Sequence, residues 1–239
     1  MDFPERFANL PEYAFPRLRT LLDAHAPGGD VVHMTIGEPK HAFPAWVTDV
    51  IRDNAHLFNN YPPNNGSPEL RGAIADWFEA RYGVPLSPDT NVMPLNGTRE
   101  GLYNVAMALC RSEKNGAQAA MLMPNPFYQV YMLAAISVGA EPVLVPATEE
   151  TGHLPDYAAV DPSILDRTVA VYICSPANPQ GEVADEAYWR ALLELAEKHD
   201  FLIFADECYC EIYRDTPPPG ALQVAHAVGA DPDRVVVFN

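Results

Sequence analysis

The stretch Phe-Leu-Ile-Phe-Ala-Asp-Glu-Cys-Tyr, residues 201–209, ends an apolar run with two acidic residues. Five consecutive apolar residues are typical of a strand that is buried on both faces, as in a parallel sheet. Asp206 would lie at the carboxyl end of this strand, where a buried carboxylate needs a polar partner. Ligands of such sheets bind at the carboxyl ends of the strands. The stretch therefore predicts an α/β fold with a binding site beside Asp206.

Similar apolar runs recur along the chain and predict further buried strands. They lie at Val92–Leu95, Ala119–Met123, Pro142–Val145, Val169–Ile173 and Val235–Phe238. Helical spacing of apolar residues separates several of them, as between the predicted cap Ser67 and the closing Gly83. This alternation predicts a three-layer α/β fold, in which helices flank a mainly parallel sheet.

The beginning of the chain has a different character. Residues 1–56 are rich in proline and in irregularly spaced apolar residues, with one short helical pattern around Arg17–His25. We therefore predict that residues 1–56 form an N-terminal arm and part of a small domain. Residues 57–239 are predicted to form most of a larger, ligand-binding domain.

The charge balance is strongly acidic. The 239 residues carry 15 basic and 32 acidic side chains, which gives a net charge of −17. Such a surface repels nucleic-acid phosphates and anionic lipids, so neither nucleic acid nor membrane is predicted as a partner. No apolar stretch approaches the roughly 18 residues of a transmembrane helix, and residues 1–10 lack the apolar run of a signal peptide. The sequence predicts a cytoplasmic protein.

The four cysteines indicate neither a metal site nor a disulfide framework. Cys110, Cys174, Cys208 and Cys210 form no CxxC pair, and the seven histidines include no HExxH motif. We therefore predict no bound metal, and we expect reduced thiols.

An apolar strand that ends in Asp-Glu also describes the Walker B strand of a P-loop ATPase, which binds Mg²⁺. That interpretation requires a GxxxxGK[ST] motif upstream. The only lysines are Lys40, Lys114 and Lys198, and none follows a glycine. The sequence thus excludes a P-loop enzyme.

Two further polar loops follow predicted strands. Asn178 lies in an Asn-Pro-x-Gly turn after Val169–Ile173, which can hold an amide side chain at the carboxyl edge of the sheet. The run Asn96-Gly97-Thr98-Arg99 follows Val92–Leu95 and opens a helix, whose free N–H groups and dipole favour a phosphate. Each motif alone also fits an ordinary turn or helix start.

Six segments together carry a family resemblance. They are Ile36-Gly37-Glu38-Pro39, Tyr61–Gly66 with Glu69-Leu70-Arg71, Asn96-Gly97-Thr98, Pro126-Phe127-Tyr128, Asn178-Pro179-x-Gly181 and Asp206-x-x-Tyr209. In this order and spacing they resemble the aminotransferase class I/II family, pyridoxal-phosphate (PLP) enzymes of fold type I, over essentially the whole chain. Within the family, the segments around Gly37, Tyr128 and Asp206 are most similar to the succinyldiaminopimelate aminotransferases of bacterial lysine biosynthesis.

The resemblance implies a role for each matched residue at the cofactor ring. Asp206 would pair with the pyridine nitrogen of PLP and keep it protonated. Asn178 and Tyr209 would hydrogen-bond the phenolic oxygen of the ring. Tyr128 would stack on the ring face.

The remaining matched residues would bind the phosphate and the substrate. Backbone amides of Gly97, Thr98 and Arg99 would hold the cofactor phosphate. Tyr61 would reach the phosphate bound by a partner subunit, which implies a homodimer with a shared site. Gly37 would lie near the substrate carboxylate. Outside this set of motifs, the three tyrosines would be interpreted as core aromatics.

The catalytic lysine of the family has no counterpart among the lysines of this sequence. In the family, a Ser-x-x-Lys segment follows the strand that corresponds to Val235–Phe238 within about half a dozen residues, and its lysine forms a Schiff base with PLP. Lys40, Lys114 and Lys198 do not match that place, and the sequence ends at Asn239. We therefore expect the catalytic lysine, the last strand and the C-terminal small domain to lie beyond Asn239.

The resemblance implies an enzyme that moves an amino group between an amino acid, with glutamate as donor, and a 2-oxo acid, in the N-succinyl-diaminopimelate reaction. This chain alone is expected to be inactive. Alternatives on the same fold are an aspartate or aromatic aminotransferase and a C–S lyase. A further alternative is a non-catalytic PLP-binding or effector-sensing domain. Regulators with such a domain carry a basic helix-turn-helix ahead of it, and residues 1–60 show no such pattern.

Overall fold

The computed structural model describes residues 5–34, 36–37 and 41–239. Two compact units are present. The smaller spans Pro11–Ser67, and the larger contains Pro68–Asn239 together with the described residues before Pro11. The predicted assignment of residues 1–56 and 57–239 to the domains of a complete enzyme remains a prediction.

The smaller unit is built from short helices. It contains α1 (Ala14–Asp23), α2 (Trp46–Asp53) and a 3₁₀ turn at Ala55–Asn59. The helix α1 corresponds to the short helical pattern predicted from the sequence. Neither α-helix buries a residue, so these helices form no core of their own.

The larger unit is a layered α/β structure. Its helices are α3 (Pro68–Tyr82), α4 (Thr98–Leu109), α5 (Gln129–Val138), α6 (Pro162–Leu165), α7 (Glu186–His199) and α8 (Ala221–Val228). Its strands are β1 (Glu113–Lys114), β2 (Ala117–Gln118), β3 (Ala120–Asn125), β4 (Glu141–Pro146), β5 (Thr168–Cys174), β6 (Leu202–Asp206) and β7 (Val235–Phe238). Strands β1 and β2 form a short antiparallel hairpin, whereas the other five are parallel in the order β4-β3-β5-β6-β7. This confirms the predicted fold class.

Five of the six predicted strands are present, with ends shifted by at most two residues. The sixth prediction, Val92–Leu95, is wrong, because these residues form no strand. Pro94 has no N–H to donate to a strand ladder. Met93 and Leu95 are exposed instead of packed in a sheet. The apolar run therefore leads into α4 as an irregular segment.

The side chains of β5 and β6 point alternately to the two faces of the sheet and contribute to two separate core clusters. Val171, Ile173 and Ile203 belong to a cluster packed against α7 and α8. Tyr172 and Phe204 belong to a second cluster packed against α4 and α5. Successive side chains of a strand point to opposite faces. Because helices cover both faces, the central residues of these strands are apolar on both sides.

A buried lysine joins two elements at the amino edge of the sheet. The Lys114 Nζ donates to the carbonyl oxygen of Thr168, where β5 begins, at 2.7 Å. It also donates to the carbonyls of His199 and Asp200, where α7 ends, at 2.6 and 2.7 Å. The last carbonyls of a helix lack intrahelical partners, so an ammonium with three donors suits this place. Burial lowers the pKa of Lys114, and the charge of Asp200 opposes that shift.

Candidate functional site

Asp206 is the last residue of β6 and lies at the carboxyl edge of the sheet, only 4% exposed. The Tyr131 hydroxyl donates a hydrogen bond to its Oδ2 at 2.5 Å. The other oxygen, Oδ1, is buried and accepts no hydrogen bond from the residues that the structure describes. A buried carboxylate oxygen without a donor is costly. Oδ1 is therefore suited to bind an N–H of a ligand, and a protonated pyridine nitrogen fits this requirement.

Asn178 and Tyr209 meet at the same edge of the sheet. Asn178 follows β5, and its Nδ2 donates to the Tyr209 hydroxyl at 2.8 Å. The turn closes through Gly181, whose N–H donates to the Ala177 carbonyl at 2.7 Å. Because Tyr209 accepts this bond from Asn178, its own proton remains for a ligand oxygen. Burial raises the pKa of Tyr209, while the bond from Asn178 opposes the shift.

The amino terminus of α4 offers a place for an anion. The helix begins at Thr98, directly after Gly97, whose φ of 136° suits glycine. Gly97 supplies no side-chain cap, so the first N–H groups are left for water or a ligand. Together with the helix dipole, these groups favour a phosphate. The exposed Arg99 lies in the same turn. The three predicted phosphate-binding residues thus lie together, and their role remains a prediction.

Tyr128 lies next to Tyr131, the tyrosine that binds Asp206. It precedes α5 and packs edge-on against Tyr131, with ring centroids 5.7 Å apart and planes at 90°. Its side chain is 40% exposed. Tyr131 also donates a hydrogen bond to Asp206. A single side chain, that of Tyr131, therefore contacts both the Tyr128 ring and the carboxylate. Stacking of Tyr128 on a cofactor ring is compatible with this placement and remains a prediction.

Glu207 is a buried carboxyl group whose function the sequence did not indicate. It is 1% exposed, and it accepts hydrogen bonds from the Ala221 N–H at 2.7 Å and the Tyr82 hydroxyl at 3.2 Å. These bonds tie the segment after β6 to α3 and to the start of α8. Burial raises the pKa of Glu207 to about 7, and the two donors oppose the shift. The only signal in the sequence was its place beside Asp206.

Glu207→Gln is expected to change the pH dependence of stability. A carboxyl group with a raised folded-state pKa stabilises the fold while it is protonated, so its contribution is full below the ordinary value of 4.5 and is lost as the pH rises through about 7. Glutamine keeps a carbonyl for Ala221 and does not ionise. Relative to the wild type, the variant should therefore gain about 2–3 kcal/mol between about pH 4 and pH 8, measured by urea unfolding. The exposed Glu79→Gln serves as control, and an unchanging difference for Glu207→Gln would contradict the expected titration.

Tyr61 and Gly37 belong to the smaller unit. Tyr61 is fully exposed, and Gly37 is exposed, with no atom of the described residues within 4 Å of the position that a Cβ would take. Their predicted roles concern a partner subunit and a substrate, and both remain predictions. Glu38, Pro39 and Lys40 of the same predicted segment lie outside the described residues.

Metal-binding clusters and membrane-spanning helices are absent from the part of the chain that the structure describes. In the part of the chain that the structure describes, no three His, Cys, Asp or Glu side chains lie together in a way that could hold a metal ion. In the same part, no helix is both long and apolar enough to cross a membrane. All four cysteines are free thiols.

Comparison with known proteins identifies the family. The model of the family described as aminotransferase class I and II matches residues 29–239. The LL-diaminopimelate aminotransferase of Moorella thermoacetica is 33% identical and covers 90% of this chain and 55% of its own length. The corresponding protein of Desulforudis audaxviator is 34% identical, with 95% and 58% covered. Both relatives are named for LL-diaminopimelate and not for its N-succinyl derivative. They therefore do not support the expected resemblance to the succinyldiaminopimelate aminotransferases.

Solved structures give the same result. An aminotransferase from Neisseria meningitidis Z2491 superposes with a TM-score of 0.91 at 34% identity, over 99% of this chain and 60% of that one. The aminotransferase AspB from Helicobacter pylori 26695 superposes with a TM-score of 0.86 at 31% identity, over the same shares. The chain thus spans little more than half the length of the relatives it matches. Over that length it belongs to the aminotransferase class I and II family, whose members use pyridoxal 5′-phosphate.

Proposed function

We propose that the protein is a PLP-dependent aminotransferase that moves an amino group between an amino acid and a 2-oxo acid. The observation that carries the proposal is the Asp206 carboxylate, buried at the carboxyl edge of the sheet with one oxygen held and the other without a donor among the described residues. A buried carboxylate oxygen without a donor lowers the stability of the fold. A ligand that donates a hydrogen bond to it removes this cost, so such a group is typical of a binding site.

The residues at this edge fit PLP in three places. Asp206 would hold the pyridine nitrogen and keep it protonated. Tyr209 and Asn178 would bind the phenolic oxygen, and the N–H groups at the start of α4 would bind the phosphate. When bound, PLP supplies a ring that accepts electrons from the substrate α-carbon as its proton leaves. Tyr128 would cover the ring and limit the access of water.

The proposed substrate is an amino acid with the diaminopimelate skeleton, and glutamate is the proposed partner of the exchange. The names of the relatives favour free LL-diaminopimelate, and the sequence motifs favoured its N-succinyl derivative. A panel of both compounds with aspartate, an aromatic amino acid and a cysteine conjugate separates these choices. Glutamate formed from 2-oxoglutarate, or pyruvate released from the conjugate, is the product to measure.

The experiment first measures PLP binding by the full-length protein and then tests the panel. The proposal expects micromolar or tighter binding, and transfer with at least one amino acid. Binding of PLP without any transfer would favour the non-catalytic alternative, a PLP-binding or effector-sensing domain. Absence of PLP binding would contradict the assigned site.

We further propose that the active form is a homodimer in which Tyr61 binds the phosphate of the partner's cofactor. The Tyr61 side chain is fully exposed in the single chain, as such a role requires. Two prolines follow it and restrict its loop. A phenol-to-phosphate hydrogen bond is charge-assisted.

Tyr61→Phe is therefore expected to weaken PLP binding by about tenfold to a hundredfold. Mixing this variant with Asp206→Asn should restore up to about half of the wild-type activity per heterodimer, because one site then carries both changes and the other neither. The exposed Tyr13→Phe is the matched control in the same unit. Heterodimers that form without any recovery would show that Tyr61 acts in its own subunit.

A further inference from the structure

A tyrosine from another element holds the Asp206 carboxylate. Tyr131 lies in the first turn of α5, is buried, and donates to Oδ2 at 2.5 Å. Burial, and then the charge of Asp206, raise the pKa of Tyr131. The phenol therefore stays protonated, and the hydrogen bond runs from tyrosine to carboxylate. This bond determines which carboxylate oxygen is left for a ligand.

A second tyrosine holds the first. The Tyr131 ring stacks on Tyr172 of β5, with centroids 4.5 Å and planes 10° apart. The Tyr172 hydroxyl donates to the Leu102 carbonyl at 2.6 Å. Leu102 lies early in α4, the helix that begins at Thr98. The two tyrosines thus connect Asp206 with the helix whose amino terminus suits an anion.

Other titratable groups near Asp206 do not replace this donor. Cys174 is its register partner in β5, Cys208 follows two residues later, and Glu207 is bound to α3 and α8. A hydrogen bond with Cys174, then burial, and then the charge of Asp206 and a hydrogen bond to it raise the pKa of Cys208, so this thiol carries no charge at neutral pH. Thiols are weak donors. The Tyr131 hydroxyl is therefore the strong donor among the described residues around this carboxylate.

We propose that Tyr131 and Tyr172 are positioning residues for cofactor binding, an inference that rests on the proposed function. Tyr131 holds Asp206 by Oδ2 and leaves Oδ1 for the pyridine nitrogen. Tyr172 stacks on Tyr131 and donates to the Leu102 carbonyl of α4, so it fixes the position of Tyr131 relative to that helix. The pair thereby fixes the separation between the nitrogen site and the phosphate site.

The same hydrogen bond also anchors the carboxylate next to the pyridine nitrogen. With Tyr131 in place, Oδ2 is held and Oδ1 is left for the pyridine N–H. Without the hydroxyl, the carboxylate loses this anchor, so its bond to the pyridine N–H weakens. A weaker bond leaves the ring nitrogen less fully protonated.

The test compares PLP binding by the wild type, Tyr131→Phe and Tyr172→Phe. Tyr188→Phe is the control, since the Tyr188 hydroxyl on α7 donates to the Pro155 carbonyl at 2.6 Å and the side chain packs against the cluster on the opposite face of the sheet. One readout is the dissociation constant of PLP from fluorescence titration. The second is the nitrogen-15 chemical shift of PLP labelled at the ring nitrogen.

Tyr131→Phe should weaken PLP binding by about tenfold to a hundredfold and move the nitrogen resonance toward that of unprotonated pyridine. Tyr172→Phe keeps the donor to Asp206, so it should weaken binding by a smaller factor, about threefold to tenfold, with the resonance unmoved. Tyr188→Phe should change neither quantity. Wild-type affinity and resonance in Tyr131→Phe would overturn the inference.

Asp206→Asn separates this inference from the proposed function. If that variant leaves binding and resonance unchanged, the cofactor site itself is wrong. If it changes both while Tyr131→Phe changes neither, only the role of Tyr131 is wrong. Should Tyr131→Phe fail to fold, Tyr172→Phe decides through the dissociation constant of PLP. A constant equal to that of the wild type would then overturn the inference.

Discussion

In the full-length protein, Asp206→Asn is expected to lower the rate of amino transfer by about a thousandfold or more. A neutral amide cannot hold a protonated pyridine by charge, and a loss of about 4 kcal/mol at the transition state corresponds to a factor of about a thousand. The measurement is the single-turnover rate at which the PLP-loaded protein consumes its amino donor.

The same variant should keep its fold. In the cofactor-free protein, Oδ1 of Asp206 is buried without a donor among the described residues, and asparagine removes the buried charge. The free energy of unfolding in urea should therefore be equal to that of the wild type or higher. Asp76→Asn on the exposed side of α3 is the control for both measurements. Near wild-type turnover in Asp206→Asn would reject the role assigned to the carboxylate.

Lys114→Met is expected to lower the free energy of unfolding by about 3 kcal/mol. Methionine has a similar length but no donors, so the carbonyls of Thr168, His199 and Asp200 lose their shared partner at 2.6–2.7 Å. Each unsatisfied buried carbonyl costs roughly 1–3 kcal/mol, and relief from burying the ammonium offsets part of the sum. Urea unfolding with a fixed m-value is the measurement.

Lys198→Met is the matched control, because Lys198 is exposed on α7. Its effect should stay within about 0.5 kcal/mol. PLP affinity should be unchanged in Lys114→Met at temperatures where the variant is folded, since the lysine lies at the edge of the sheet away from Asp206. Equal losses of stability in the two variants would contradict the structural role of Lys114.

The sheet could be predicted because each buried strand is a short apolar run, and a strand covered on both faces has no polar alternation to obscure it. Val92–Leu95 shows the limit of that signal. Its composition fits a strand, but a strand exists only if a neighbour offers hydrogen bonds, and composition does not reveal the neighbour. Local pattern therefore predicted the elements better than their pairing.

Asp206 could be predicted because its own strand places it at the carboxyl edge. Its hydrogen-bond donor could not be predicted, since Tyr131 is 75 residues away in sequence. The Tyr82 hydroxyl on Glu207 comes from 125 residues away. Contacts of this kind depend on how helices pack on the sheet, and no spacing rule in one sequence encodes them. The same holds for Lys114, which looks like an ordinary surface lysine in the sequence.

The position of Lys114 bears on how such a protein can evolve. At the amino edge of the sheet, Lys114 hydrogen-bonds both the start of β5 and the end of α7. The loops after β3, β5 and β6 lie at the opposite, carboxyl edge. We expect mutations that change specificity to fall in those loops, where they leave the hydrogen bonds of Lys114 intact. A laboratory library that randomises the loops and retains Lys114 should therefore yield a larger share of folded variants than one that also samples the amino edge.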